Sequence, residues 1–300
     1  MCGVVVQMVE HRTPNSECVG SNPANTANKS LGVIFIKVSS KDKTHVFEFE
    51  TDVSILLLGD VHNGAQKSRF DLVEKVLKEY PHDYFVQIGD FNDVITKNSV
   101  GNVHEAKKQI QEQIDDTTRF FKLFKDRFLG IVGGNHDKRI YKDVGFDYLK
   151  SISEMFEIPY SPTFLVLDIN ITGSGRGSKN RNNYVIALHH GYSGGRTFGT
   201  TAKQLDDFET FLDGVDIYVT GHTHRPAIIP FRKMEYDRKN KKILYRDGYK
   251  INTSSFIDLE RYAEEKLLRP QSFAIPRITL LKNERKILTE FVIPDSFERE

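Results

Sequence analysis

The chain has 300 residues, enough for one large α/β domain or two small ones. At 39% hydrophobic and 28% charged it can fill a sizeable core, and a formal net charge of +1 excludes a global electrostatic case for nucleic acid, leaving only a local basic patch. Cys2 and Cys18 are the only cysteines, which excludes a disulfide framework or thiolate zinc site from the main body and suits a reducing cytoplasm; no apolar run approaches the ~18 residues of a membrane span.

Residues 1–30 read as a disordered or spurious tail. Residues 15–28 are polar, carry Pro and Gly and have no period, and no signal-peptide core stands at 4–6. Gly20-Ser21-Asn22-Pro23 is what the T-arm of a tRNA gene gives when translated in one frame, so the tail is expected to contribute nothing to function. One domain is expected over residues 31–300, since neither a repeat nor a linker interrupts it.

Residues 32–39 and 45–49 are β-branched and aromatic with partial alternation, and read as a hairpin leading into a central strand. That strand, an apolar run at 55–58 with no polar alternation, is expected to be buried on both faces. It stops at Gly59, and Asp60 and His62 follow at once. Residues 68–80 have apolar positions at helical spacing, and Pro81 ends them. A second strand, 84–88, stops at Gly89-Asp90-Phe91-Asn92-Asp93. A long helix is expected over 104–128, with Ile110, Ile114, Phe121, Phe124 and Phe128 as its core-facing stripe.

A third strand, 129–132, runs into Gly133-Gly134-Asn135-His136-Asp137. A helix near 145–156 and a strand at 163–172 follow. Residues 173–183 form a Gly, Ser and basic loop that fails the Walker spacing. A fourth strand, 184–188, ends in His189-His190-Gly191, and a helix is expected over 201–212. A fifth strand, 215–219, ends in Gly221-His222-Thr223-His224. The remainder reads as β: 227–236, 243–245, 273–281 and 286–293, with a basic turn at 237–242.

Taken singly, each strand-end residue reads as a turn former, a cap or a satisfied polar group. Together they have one common explanation. Ligand crevices in open α/β sheets lie beyond the carboxyl ends of strands, and Asp, Asn and His are ligands for hard-to-borderline divalent metals. A metal site at the carboxyl edge of one sheet is therefore expected.

In this order, Gly-Asp-Val-His, Gly-Asp-Phe-Asn-Asp, Gly-Gly-Asn-His-Asp, His-His-Gly and Gly-His-Thr-His resemble the calcineurin-like metallophosphoesterase family. The resemblance runs from Asp60 to His224 and implies a four-layer αββα sandwich, in a single domain, with a binuclear site. It implies Asp60, His62, Asp90 and His224 on one metal, and Asp90, Asn135, His222 and one of His189 and His190 on the other. His190, directly before Gly191, is favoured. Asp90 suits the bridging position because its charge can be shared. The metals are Mn, Fe, Zn or Mg, with Mn favoured for activity.

The implied reaction is phosphomonoester or phosphodiester hydrolysis by a hydroxide held between two metals about 3.5–4 Å apart. His136 is the implied general acid, kept protonated by Asp93, while a bland reading makes Asp93 a helix cap. Asp137 has no ligand role in the resemblance and is expected to order its turn. For the substrate phosphate, Arg196 is the first candidate and Arg225 the second, against a solvated or structural role for each.

Basic runs at 176–181 and 232–242 are expected as solvated loops. They keep a DNA or RNA nuclease open as an alternative, with nucleotide or nucleic acid as partner. A catalytically inactive scaffold is the other alternative, disfavoured because every ligand position is filled. A protein serine/threonine phosphatase is disfavoured because Val94-Ile95 follow Asp93 where that branch carries Arg-Gly. Residues 96–103, 173–183 and 232–242 are the candidate lids.

Overall fold

The computed structural model describes residues 35–38, 43–96, 106–172, 181–192, 194–195, 197–258 and 272–294. The expected tail at 1–30 lies outside them, as do most of two candidate lids, at 97–103 and 173–180.

Strand β3 (Val53–Leu58) carries the fold's layering in its own sequence. Val53, Ile55 and Leu57 pack into one apolar cluster, while Leu56 and Leu58 pack into another on the opposite face. A strand buried on both faces must have something apolar on each, which forces a layered structure. On one side of β3 lies a second sheet, and on the other lie helices.

The sheet of β3 has six strands. In addition to β3 they are β4 (Tyr84–Gln87), β5 (Phe128–Val132), β6 (Tyr160–Ser161), β12 (Ile275–Leu280) and β13 (Ile287–Val292), in the order β13-β12-β3-β4-β5-β6. The seven-stranded sheet contains β1 (Phe35–Val38), β2 (Thr44–Phe49), β7 (Phe164–Thr172), β8 (Arg181–His189), β9 (Ile217–Thr220), β10 (Ala227–Asp237) and β11 (Lys242–Asn252), in the order β1-β2-β7-β8-β9-β11-β10. Between the sheets Ile55, Leu57, Val86, Leu167, Ile186 and Val219 form one core. Gly130 lets them approach, because a Cβ there would come within 2.5 Å of Leu165 Cδ2.

Helices α1 (Phe70–Glu79), α2 (Ile110–Phe124) and α4 (Tyr148–Met155) cover the outer face of the six-stranded sheet. Phe70, Val73 and Val76 of α1 and Phe120, Phe121 and Phe124 of α2 supply the contact, as their helical spacing dictates. Helix α5 (Phe198–Phe211) covers the other sheet through Phe208, against Tyr218, Ala187 and Val215. The result is the mixed α/β, four-layer sandwich with two sheets flanked by helices. Among the described residues no helix is long and apolar enough to cross a membrane.

Several elements differ from expectation. The helix expected over 104–128 is confined to α2. Its backbone turns into a 3-10 segment at Lys125–Arg127, and Phe128 already belongs to β5. Arg127 explains the break: its buried guanidinium donates to the carbonyls of Leu77, Tyr80 and Asp83, at 2.7, 2.6 and 2.7 Å, so it satisfies the C-terminal end of α1. Helix α3 (Lys138–Val144), closed by left-handed Gly145, was not anticipated.

The hairpin β1–β2 does not extend the sheet of β3. It pairs parallel with β7 at the edge of the seven-stranded sheet. The basic stretch 232–242 is mostly strand rather than loop, since β10 and β11 pair over eleven residues from Ala227↔Asn252 to Asp237↔Lys242. Its tip therefore lies roughly 33 Å along the strands from the strand ends that carry His222 and His224, at ~3.3 Å per residue. It cannot be a lid over them.

Candidate metal centre

The loops after β3 and β4 are bound to each other by backbone, and the loop after β5 joins them through side chains, with His136 N donating to Asp90 Oδ1 at 2.8 Å. Asp60 N donates to Gly89 O at 3.1 Å, His62 N to Asp90 O at 2.9 Å and Asn63 N to Phe91 O at 2.8 Å. These bonds prolong the sheet ladder past its last formal pair and bring Asp60, His62 and Asp90 together. The loops after β8 and β9 arrive from the other sheet, where Gly221 N donates to His190 O at 2.9 Å. The expectation of a single sheet edge is thus corrected. Three arms come from one sheet and two from its neighbour, because the carboxyl ends of both sheets open on the same side.

Three ligand-like groups stand among the described residues, each with its donor atoms within 4.8 Å of one another: Asp60–His62–His224, Asp90–His190–His222, and His62–Asp93–His136, which shares His62 with the first. In the first, His224 Nε2 stands 3.3 Å and His62 Nε2 3.9 Å from Asp60 Oδ1. In the second, His190 Nε2 is 3.2 Å from Asp90 Oδ2 and 3.0 Å from Asn135 Oδ1, and His222 Nδ1 is 3.3 Å from His190 Nε2. Asp90 touches both of these clusters, with Oδ2 also 3.8 Å from His62 Nε2.

The donor set fits a cation. His62 Nε2 is sealed from solvent without a hydrogen-bond partner, although its Nδ1 faces Asp93 Oδ1 at 3.4 Å. His190 Nδ1 donates to Ile88 O at 2.7 Å, which leaves Nε2 to face the carboxylates. Burial resists charge on Asp60 and Asp90, yet the surrounding imidazoles hold both below the usual carboxylate range. Burial likewise opposes charge on His190, but Asp90 beside it wins and pushes the imidazole up to about 10. The pocket demands positive charge, which a proton or a metal ion can supply.

His189 leaves the opposite face of β8. Its Nδ1 accepts from Gly191 N at 2.8 Å, its ring packs on Phe208, and burial pushes it down to about 4. It takes no part in any of the three groups.

His136 stands beside the first cluster, with its ring centroid 4.5 Å from that of His62. Its Nδ1 lies 2.8 Å from Asp93 Oδ1. Burial lowers His136, but the Asp93 hydrogen bond and the Asp90 charge outweigh it and raise the imidazole above its usual value. Asp93 serves both His62 and His136, and the hydrogen bonds from these two hold its carboxyl well down against its burial.

Sequence reasoning missed Arg139, one helical turn beyond His136. Its Nη1 donates to Asp93 O at 2.8 Å and its Nη2 lies 3.0 Å from His136 Nε2. The i, i+3 spacing from His136 would have pointed to it had helix α3 been foreseen. Of the two arginines singled out, Arg225 is partly buried on the turn after His224, where its carbonyl accepts from Asn252 Nδ2 at 2.9 Å. Arg196 lies outside the described residues.

Asp137 does more than order its own turn. Fully enclosed, it accepts from Phe91 N at 3.3 Å, Asn92 N at 3.2 Å, Gly134 N at 3.0 Å and the Tyr148 hydroxyl at 2.5 Å. It thereby ties the Asp90 loop to the Asn135 loop.

The family model described as Calcineurin-like phosphoesterase matches residues 53–226, more than half of the chain. Among solved structures the chain is similar to Yfce, a phosphoesterase from E. coli, at 14% identity and TM-score 0.37, over 80% of this chain and 98% of that one. It is also similar to the calcineurin-like phosphoesterase YfkN from Bacillus subtilis, at 11% identity and TM-score 0.38, over 81% and 90%. A third is GAP50, the anchor in the inner membrane complex of Plasmodium, at 11% identity and TM-score 0.40, over 83% and 87%. No curated protein matches the chain significantly.

Proposed function

We infer that this chain, which belongs to the calcineurin-like phosphoesterase family, hydrolyses phosphate monoesters or diesters with the help of two divalent cations. The observation that carries the reading is the pair of adjoining clusters, Asp60–His62–His224 and Asp90–His190–His222, with Asn135 on the second and Asp90 between them. In this reading Asp60, His62, Asp90 and His224 hold one cation, and Asp90, Asn135, His190 and His222 hold the other. Mn is the favoured ion for activity and the cytoplasm the favoured setting. When bound, the cations would supply Lewis-acid activation of water and of the phosphoryl oxygens.

The chain's own residues do the rest. His136 delivers a proton to the leaving oxygen, and Asp93 orients its ring from Nδ1. The contact of Arg139 Nη2 with His136 Nε2 requires a lone pair there, whereas the Asp93 carboxylate favours the protonated ring. The two demands are reconciled if an arriving phosphate draws the guanidinium onto itself. Nε2 is then released to carry the proton. Arg139 thus joins Arg196 and Arg225 as a candidate for the substrate phosphate, with its planar fork suited to an oxyanion.

The test is metal analysis of the purified protein, followed by hydrolysis of p-nitrophenyl and bis-p-nitrophenyl phosphate and of nucleotides with Mn added. Asp90→Ala is expected to lose both ions and activity together. An intact protein that binds no divalent metal, or that is as active with Asp90→Ala as without it, refutes the assignment.

A further inference from the structure

His189 opens onto a second feature. On the outer face of the seven-stranded sheet, between that sheet and α5, lies a cavity of ≈ 500 Å³. That volume falls within the roughly 300–1,000 Å³ of small-ligand sites. Its walls are mostly apolar rings: Phe164, Phe208, Phe211, Tyr192 and the imidazole of His189. Phe164 meets Phe211 edge-on with centroids 5.6 Å apart. At the rim the Lys43 ammonium stands 4.3 Å over the Phe164 ring. Phe211 and Tyr192 are left 68% and 58% exposed, so two large rings at the opening face water.

The cavity adjoins the candidate centre. Gly191, one of its lining residues, directly follows His190. A Cβ on Gly191 would come within 2.9 Å of Gln204 Oε1 and 3.0 Å of His222 Cβ. Gly191 therefore packs directly between Gln204, in the cavity wall, and His222 of the second cluster. Its backbone angle, φ 108°, belongs to the region that glycine alone enters freely.

The polar groups in the wall are few and specific. His189 Nδ1 accepts the Gly191 N–H, so the ring proton of the neutral imidazole stands on Nε2, which has no partner among the described residues. Gln204 donates through Nε2 to Thr220 Oγ1, Gly221 O and Asn252 Oδ1, but its Oε1 is buried without a partner. An apolar core void would carry neither feature. Flat apolar walls, one free N–H and a cation over a ring at the rim together match a planar aromatic group that carries a hydrogen-bond acceptor.

We propose that this cavity is the subsite for the ester group of the substrate, and that the chain acts on phosphoesters bearing a flat aromatic group with an acceptor, of nucleoside or simple aryl type. The proposal rests on the phosphoesterase reading. The aromatic group would reach past Gly191 while the phosphate stays with the His190–His222 cluster. His189 Nε2–H would bond its acceptor, and the Phe164–Phe211 pair would form one apolar wall against it.

The test uses ethyl, benzyl and thymidine-5′-yl phosphates, as monoesters and as methyl diesters, with the full chain loaded with Mn. All three are esters of primary alcohols, so their intrinsic reactivities are similar. We expect kcat/KM for the benzyl or thymidine ester to exceed that of the ethyl ester at least tenfold, chiefly through KM. A thymidine ester well ahead of benzyl, whose ring carries no acceptor, bears out the His189 contact, and equal benzyl and thymidine values overturn that contact. In Phe211→Ala the preference over ethyl is expected to shrink to threefold or less. Binding of thymidine and benzyl alcohol, followed by ligand-observed NMR, supplies an independent reading and is expected to weaken at least fivefold in that variant. Equal kcat/KM for the three esters overturns the subsite while leaving the phosphoesterase reading intact. Saturable binding of thymidine without hydrolysis of any ester keeps the cavity as an aromatic site but overturns both its link to a substrate and the phosphoesterase reading.

Discussion

Replacing Asp137 with alanine tests how the centre is held together. Four buried donors converge on this carboxylate: the N–H groups of Phe91, Asn92 and Gly134, and the Tyr148 hydroxyl. At 5% exposure, bulk water does not replace it readily. Each stranded donor costs about 1–3 kcal/mol, and taking the low end for all four gives roughly 4 kcal/mol. An opposing term exists, because burial first and the Asp90 charge second make the Asp137 anion unfavourable and raise its carboxyl. Relief of that charge returns part of the loss, so the net expectation is about 3 kcal/mol, large for a single substitution. Tyr148→Phe removes one donor and leaves the carboxylate its three N–H groups, so about 1 kcal/mol is expected. Urea unfolding of the metal-free protein measures both. Mn binding by calorimetry should weaken in Asp137→Ala, because the loops carrying Asp90 and Asn135 lose their common anchor. An Asp137→Ala protein within about 0.5 kcal/mol of the parent, the scatter of neutral surface changes, and with unchanged Mn affinity would refute the reasoning.

Three further outcomes follow from the geometry. His136→Ala should keep its metal content and lose roughly 10²–10⁴-fold in turnover, the usual range for a positioned acid; steady-state kinetics beside metal analysis reads both. Arg139→Lys should raise KM with little rescue over Arg139→Ala, because a single ammonium cannot reproduce the guanidinium fork; indistinguishable Arg and Lys forms would remove Arg139 from the phosphate site. Deletion of residues 1–29 should leave the unfolding midpoint and the activity unaltered, and loss of either would make the tail part of the working protein.

Much of the layering could be read from short apolar runs. Ile55 to Leu58 lacks any polar alternation, and a strand of that kind must have an apolar layer on each side, which is what β3 has. The strand-end residues could be read for the same local reason, since each follows its strand within a few positions. What the sequence does not carry is pairing. Nothing in residues 184–188 or 217–220 says that these strands belong to a different sheet from β3, because a buried strand looks alike in either. In the hairpin of β10 and β11, β10 matches the strand expected over 227–236, but β11 exceeds the expected 243–245 because Arg246 and Asp247 break the apolar pattern. They stay in strand by pairing across it, Asp247 with Arg232 at 2.5 Å and Arg246 with Glu235 at 3.5 Å. Asp137, Gln204 and Arg139 have partners 46 to 48 positions away, beyond the reach of local pattern.

The sequence also hid how tightly the strand ends turn. Asp60, His62, Asp90, His222 and His224 all have left-handed backbone, with φ of 50°, 47°, 51°, 69° and 56°. Asp and His enter this region more readily than most residues, yet each such conformation still costs of order 1 kcal/mol or more. Five together approach roughly 5 kcal/mol, which equals the whole net stability of a marginal domain. Longer loops would relax these angles, but they would also let the side chains wander. Turning within two to four residues of a strand end ties the direction of each side chain to the strand itself. Such turns survive only where the strand beneath cannot shift. The arms concerned grow from β3, β4 and β9, whose side chains are almost all buried. The apolar clusters on both faces of β3 and β4 therefore hold rigid the strand ends on which the strained turns depend.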